Sequence, residues 1–364
     1  MNNQIVLTGC TGFLGSDVFA KLIVNGIKLE NIILLGRKKP QSEKSLLGLR
    51  VKENGLSPGA LLDKLEFIEL DFENEKSFQQ GLQAKLKPRL KPGFTMVHMA
   101  AMISTPKDAN VESQTRANVG VTEDLFNFCS ETQAGRFVFT SSVVAWGGEA
   151  KPGIRSEKDF VHFNPLCWTL PYFSTKRTAH EKVLDLARKS GIPTHLLCPG
   201  IIHGTLDYQK TSRKFLKLLT EGRLPAIPPG GGNLVGLDRV TQSVLDSISK
   251  PLATAEKPFV QLVVDENLSF REYFQKYLEA WGHVTGKKTP PMPRFVPPRA
   301  LSLGVGRVMG ILGKVMGKHF SLGEALVPGS LFLYFQSEHP LPPTRGVAMS
   351  LEDSVRSEKE SLNS

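Results

Sequence analysis

Residues Gln4–Gly26 read QIVLTGCTGFLGSDVFAKLIVNG, and the fold follows from how this stretch is parsed. Ile5 to Thr8 is a short, mainly apolar run, the signature of a strand buried inside a parallel sheet. Gly9, Gly12 and Gly15 come next, and then a helical pattern through Phe13, Val18, Leu22 and Ile23. A strand, a glycine-rich turn and a helix start are the parts of a pyrophosphate cradle. The glycines let the backbone turn tightly and approach the phosphates, and the helix N-terminus offers free N–H groups and a positive dipole end. A glycine triplet is a weak signal alone; here it has the required strand before it and helix after it.

The same alternation continues along the chain. NIILLGRKK is a second strand, and its end offers Gly36, Arg37, Lys38 and Lys39 where an acid would hold a ribose 2′-hydroxyl. Arg37 instead suits a 2′-phosphate, which predicts NADP(H) as the preferred cofactor with NAD(H) as the alternative. KLEFIEL ends at Asp71, FTMVHMAA runs into Ala100-Ala101, GRFVFTSSVVAWG carries Ser141 and Ser142, and PTHLLCPG ends at Pro199-Gly200. Strands alternating with helices predict an α/β fold, a Rossmann-type doubly wound parallel sheet whose ligand crevice lies at the C-terminal strand ends. Asp71 has two readings, an adenine contact or a turn cap.

Between the last two of these strands lies TLPYFSTKRTAHEK, Thr169–Lys182, within a helix that stops at Gly191 with Pro193 beyond. Residues four apart share a helix face, so Tyr172 and Lys176 project side by side toward the same crevice. The spacing alone is commonplace in a lysine-rich chain, and its weight comes from the strand–helix context.

The 364 residues carry a formal charge of +10 and four scattered cysteines, Cys10, Cys129, Cys167 and Cys198. Their spacing suggests neither a zinc site nor a disulfide framework, so no metal is expected and a reducing, cytoplasmic location is the default. The N-terminus lacks a charged segment followed by an apolar one, and no run reaches the length of a membrane span.

In these features the chain resembles the extended short-chain dehydrogenase/reductases. The resemblance rests on TGCTGFLG at Thr8–Gly15, Asp71, HMAA at His98–Ala101, and Asn118 in RANVGVTEDLF. It continues with FTSS to Ser142, YFSTK at Tyr172–Lys176, and PGIIHG at Pro199–Gly204. The match is strong over roughly the first 200 residues and weaker to the end, through LSFREYF and SLEDSV. It is nearest to the 3β-hydroxysteroid dehydrogenase and dihydroflavonol-reductase-like group, and the Pro40–Leu65 insert is similar to that of fatty-acyl thioester reductase domains.

The resemblance implies Ser142, Tyr172 and Lys176 as the catalytic set, with Asn118 in support. Ser142 is chosen over Ser141 because it lies five residues before Gly147. The implied dinucleotide contacts are Gly9, Thr11, Gly12, Phe13, Leu14, Gly15, Arg37, Lys38, Asp71, Phe72, Ala100, Ala101, Tyr172, Lys176, Pro199 and Ile202. Trp146, His203 and Cys198 depart from the family pattern, which argues against a nucleotide sugar as substrate.

A free tyrosine ionises near pH 10, and lowering that to 7 takes about 4 kcal/mol. A lysine cation about 4 Å away supplies that much at an effective dielectric near 20. Hydride transfer between cofactor and carbonyl, with Tyr172 moving the proton and Ser142 orienting the oxygen, is the expected reaction on a hydrophobic ketone or secondary alcohol. Nucleotide-sugar epimerisation or dehydration, acyl-thioester reduction, and a non-enzymatic NADP-binding regulator are the alternatives. His98 reads as structural.

Residues 1–204, with 233–265 returning to them, are read as the dinucleotide-binding domain. Residues 205–232 and 266–339 are read as a smaller, mostly helical substrate domain, with PAIPPGGGN as a flexible loop, and 340–364 as a loose polar tail with one short helix. Between Ala280 and Gly323 there is no Asp or Glu, while Lys287, Lys288, Arg294, Arg299, Arg307, Lys314 and Lys318 stand there. Within it, ALSLGVGRVMGILGKVMGKHF reads as a helix. Either it lies against a membrane or at the mouth for a lipid-like substrate, or it packs on the small domain with a solvated basic face. Its glycines, which weaken a lone helix, favour the packed reading. The partners expected are a small hydrophobic substrate, a peripheral membrane or acyl carrier through 280–323, and a second copy in a homodimer; no nucleic acid is expected.

Overall fold

The structure is a computed structural model that describes residues 3–102, 111–207, 210–251, 253–254, 257–316 and 326–363. In chain order the strands are β1 (Ile5–Thr8), β2 (Ile32–Gly36), β3 (Glu66–Glu69), β4 (Thr95–His98), β5 (Arg136–Thr140) and β6 (Ile154–Arg155). They continue with β7 (Thr194–Pro199), β8 (Ile201–His203), β9 (Gly231–Gly236), β10 (Phe259–Val263), β11 (Glu266–Ser269) and β12 (Phe332–Phe335). The helices are α1 (Phe13–Val24), α2 (Leu46–Glu53), α3 (Pro58–Lys64), α4 (Glu75–Gly81), α5 (Val111–Thr115) and α6 (Val121–Glu131). They continue with α7 (Pro165–Trp168), α8 (Pro171–Ser190), α9 (Lys210–Thr220), α10 (Leu237–Ser249), α11 (Phe270–Thr285) and α12 (Arg299–Met316), before a last helix, Val347–Asn363.

Seven strands form one sheet in the order β10-β7-β5-β4-β1-β2-β3, every neighbouring pair parallel. The order reverses at β1, so the chain winds outward in both directions and helices cover both faces. One core cluster joins Ile5, Leu7, Val18 and Leu34 to Val240 and Val244 of α10; another joins Val6, Ile33 and Met96 to Leu125, Phe126, Ala179 and Val183. Successive residues of β1 thus feed opposite faces, as the period of a strand requires.

Three expectations for the back half fail. The glycines of PAIPPGGGN do not form a flexible loop throughout: Gly231–Gly236 is β9, buried along its length. It pairs with β8, β11 and β12 in a second, five-stranded sheet that also holds β6. Its glycines are a consequence of crowding, because a Cβ on Gly231 would lie 2.5 Å from the Leu268 carbonyl oxygen.

The region beyond 340 is not loose. The last helix spans Val347–Asn363, and its Val347, Leu351 and Val355 are buried with Tyr273, Phe274 and Tyr277 of α11. Its serines look solvent-facing in sequence, yet the Ser354 and Ser357 hydroxyls accept from the backbone N–H groups of Gly204 and Leu206.

The first part of the apolar face of α12 is not packed: Leu301, Val305 and Val308 stand 50%, 39% and 55% exposed, while Ser302 and Gly306 are buried. Gly317, Lys318 and the end of the acid-free window lie outside the described residues. Among the described residues no helix is long and apolar enough to cross a membrane.

Candidate active site

β1 ends at Thr8, and Gly9 follows with φ +76°. A Cβ there would stand 2.7 Å from the Ala100 nitrogen, so the turn after β1 and the turn after β4 touch backbone to backbone. Gly12 donates its N–H to the Gly9 carbonyl at 2.9 Å and begins α1 with no side-chain cap. A Cβ on Gly15 would lie 2.2 Å from the same carbonyl. Thr11 and Gly12 are exposed. The first N–H groups of α1 are therefore left for a ligand, in a cradle that no larger residue could line, and these residues fit a dinucleotide pyrophosphate.

At the end of β2, Arg37 and Lys38 are exposed and have no hydrogen bond or ion pair among the described residues. The Phe67 ring occupies the space beside Gly36, 2.6 Å from where its Cβ would be. Asp71 uses Oδ1 to cap its own turn, accepting from the N–H groups of Glu73 and Asn74 at 3.1 and 3.2 Å. Phe72 packs on Phe78 with ring centroids 5.0 Å apart.

A chain of buried hydrogen bonds holds the β4 turn. Thr122 donates to the Asn118 carbonyl at 2.8 Å, so its oxygen accepts from His98 Nε2 at 2.9 Å. His98 Nδ1 must then accept, and it does so from the Thr8 hydroxyl at 2.7 Å. The Thr8 oxygen in turn accepts from the N–H groups of Met99 and Ala100, both at 3.2 Å. Burial pushes the His98 imidazole down to about 3, with the Lys176 charge acting in the same direction, so it stays neutral. Asn118 accepts from Met102 N–H at 2.7 Å, donates back to the Met102 carbonyl at 3.0 Å, and donates to Thr175 of α8 at 3.2 Å. Asn118 thus ties the β4 turn to the helix that carries Tyr172.

Ser142 follows β5, and its hydroxyl lies near enough to the Tyr172 phenol to pull the phenol's ionisation down. It also lies 3.5 Å from the Pro199 carbonyl. Ser141 points the other way, its hydroxyl 3.0 Å from His180 Nδ1. Two adjacent serines face opposite sides because the chain is extended at this point: Ser142 has φ −167° and ψ 155°.

Tyr172 is half-buried at the start of α8, where Pro171 occupies the first turn, and Gly191 ends the helix in the left-handed conformation. Lys176 is buried, donates to the Thr140 carbonyl at 3.3 Å and sits 5.6 Å from the Phe139 ring centre. Burial pushes the lysine down to about 8. Burial pushes the tyrosine up to about 12, against a smaller downward pull from Ser142. The expected lowering of Tyr172 by Lys176 is not found: desolvation raises the phenol, and Ser142 is the group that pulls it down.

The NAD dependent epimerase/dehydratase family profile matches residues 5–224. The chain belongs to that family. It is 25% identical over 209 residues to vestitone reductase from Medicago sativa, a match covering 55% of this chain and 58% of that protein. It is also 25% identical over 313 residues to the L-2-aminoadipate reductase large subunit of Eremothecium gossypii, covering 77% of this chain and 21% of that one. The matches therefore span less than two thirds of either relative. Among solved structures, the UDP-glucose 4-epimerase of Thermotoga maritima superposes with a TM-score of 0.67 at 17% identity, covering 99% of both chains, a likeness of fold. The chain thus belongs with the extended short-chain dehydrogenase/reductases.

This family membership gives the three departures a place. Trp146 is fully buried, donates to the Ser156 carbonyl at 3.1 Å, and meets His180 edge-on at 5.1 Å. Cys198 is buried 3.8 Å from His180 Nδ1. His203 is buried against Tyr273 and Ser354.

Sequence reading missed Arg177. Its guanidinium lies 3.7 Å from the Phe160 ring centre, donates to the Ala145 carbonyl at 3.2 Å, and pairs with Glu181 at 2.6 Å. It clamps the turn after Ser142 onto α8. Its only sequence signal was adjacency to Lys176.

Proposed function

We propose that the enzyme uses NADP(H) to interconvert a ketone and a secondary alcohol on a hydrophobic substrate. The observation that carries this reading is the Ser142 hydroxyl set beside the Tyr172 phenol, whose ionisation it lowers, at the strand ends that also hold the glycine cradle. In this reading Ser142 and Tyr172 together donate to the carbonyl oxygen, and Tyr172 gives up its proton as that oxygen gains charge. The bound reduced dinucleotide supplies the hydride. Burial raises the Tyr172 phenol, which is therefore protonated at neutral pH, the form a proton donor needs. Lys176, four residues on along the same helix and held by the Thr140 carbonyl, would supply a donor for the nicotinamide ribose.

Two further features support the finer points. Arg37 and Lys38 are exposed cations just after β2, where a 2′-phosphate would need them, and Gly36 stands in place of an acid. Tyr172 belongs to an apolar cluster with Phe163, Leu166, Leu170, Phe173, Leu331 and Leu333, which suits a hydrophobic substrate better than a sugar diphosphate.

Acyl-thioester reduction is the second reading. It is favoured by the match to an aminoadipate reductase over 77% of the chain, together with the two-helix insert α2–α3. Epimerisation rests on likeness of fold.

The test begins without substrate. Dissociation constants for NADPH and NADH are compared in the wild type and in Arg37→Ala. The reading expects a preference for NADPH that the variant loses; equal or tighter NADH binding overturns it. Net NADPH oxidation then separates reduction from epimerisation, which consumes none. Product analysis separates an alcohol made from a ketone from one made from a thioester.

A further inference from the structure

We infer that the surface formed by residues 287–308 is a docking face for an anionic lipid bilayer. Five of the eleven large apolar side chains that stand exposed among the described residues fall between 295 and 308: Phe295, Val296, Leu301, Val305 and Val308. Leu301, Val305 and Val308 are spaced four and three apart on α12, so they form one face of the helix. A clustered apolar face of this kind marks an interaction site, whereas single exposed apolar residues do not.

The charge around the face selects its occupant. No carboxylate side chain occurs from Ala280 to Gly323, and Lys287, Lys288 and Arg294 are exposed in the segment leading into α12. A protein partner of ordinary composition would meet this surface with both signs of charge. A bilayer carrying anionic headgroups presents one sign and an apolar interior beneath it, which is the complement of apolar side chains flanked by cations. No described helix can cross the bilayer, so the contact is peripheral. This inference goes beyond the reductase reading and needs no turnover.

The test is co-sedimentation of the full chain with vesicles of phosphatidylcholine alone and of phosphatidylcholine with phosphatidylserine, at low and physiological salt. Binding to the anionic vesicles is expected, weakening as salt rises. Leu301→Asp/Val305→Asp should abolish it, and both positions are exposed, so the fold should survive. Lys287→Ala/Lys288→Ala should weaken it by about fivefold for each cation removed. Thermal melts and NADPH binding of both variants should match the wild type. Absence of binding to anionic vesicles overturns the inference, as does binding that Lys287→Ala/Lys288→Ala leaves unchanged. Binding to an acidic acyl-carrier protein with none to vesicles also overturns it.

Discussion

Burial holds the Tyr172 phenol and the Lys176 amine away from their ordinary ionisation in opposite directions, and both consequences are measurable. Lys176 loses its charge above about pH 8, while Tyr172 is still protonated there. The kcat/KM for reduction should therefore fall as pH rises through 8; a profile flat from 7 to 10 would remove the charged lysine from the reaction. The folded-state pKa of Lys176 lies below its unfolded value of 10.5, so its charged form costs stability at neutral pH, and the cost disappears as pH rises from 8 to 10.5. Lys176→Met should accordingly raise stability by about 1–3 kcal/mol in denaturant titrations while turnover collapses. His98 is different, because both of its ring nitrogens are engaged. His98→Ala leaves the Thr8 hydroxyl without its acceptor and removes the donor to Thr122, and should lower stability by about 1–3 kcal/mol. It should also weaken cofactor binding, since Ala100 hangs from Thr8.

β1, its glycine turn and α1 were legible in sequence because their signals are local: an apolar run, three glycines at fixed spacing, and a helical period. The Tyr172 helix was legible for the same reason, down to its end at Gly191. β9 was not, because what makes Gly231–Gly236 a strand lies far away in β8, β11 and β12, and its glycines record crowding by those neighbours. The last helix was read as a short piece in a loose tail; its full length and its packing were missed because its serines carry no apolar signal, although they satisfy the turn at Gly204–Leu206. The choice of Ser142 over Ser141 came from spacing to a glycine, and the structure places the two hydroxyls on opposite sides. The Arg177 clamp had no such signal. At this scale, Gly9→Ala should abolish dinucleotide binding in fluorescence titration, since both its φ and its approach to Ala100 forbid a Cβ. Removing the last helix should yield aggregated protein, because it uncovers Tyr273 and Tyr277 of α11; a monomer with an unchanged melt would restore the loose-tail reading.

Across the whole molecule, burial keeps His98 and His180 neutral down to about pH 3 and His203 down to about 4. Their folded pKa values lie below the ordinary 6.5, so the unfolded chain takes up protons first as pH falls. Each should remove about 1.4 kcal/mol of stability per pH unit below 6. Thermal melts should drop steeply between pH 6 and 4; a flat profile there would show that these rings reach solvent. The same burial that sets this limit also holds the two sides of the crevice, the glycine cradle and the Ser142–Tyr172 pair, on one set of strand ends. That arrangement makes proton donation by Tyr172 the central claim. The most direct measurement is NADPH-dependent turnover of hydrophobic ketones by Tyr172→Phe against wild type, with NADPH affinity measured alongside. The account predicts a loss of about 10²–10⁴-fold in kcat with cofactor affinity unchanged. Turnover within about tenfold of wild type would contradict it and assign the proton to another group.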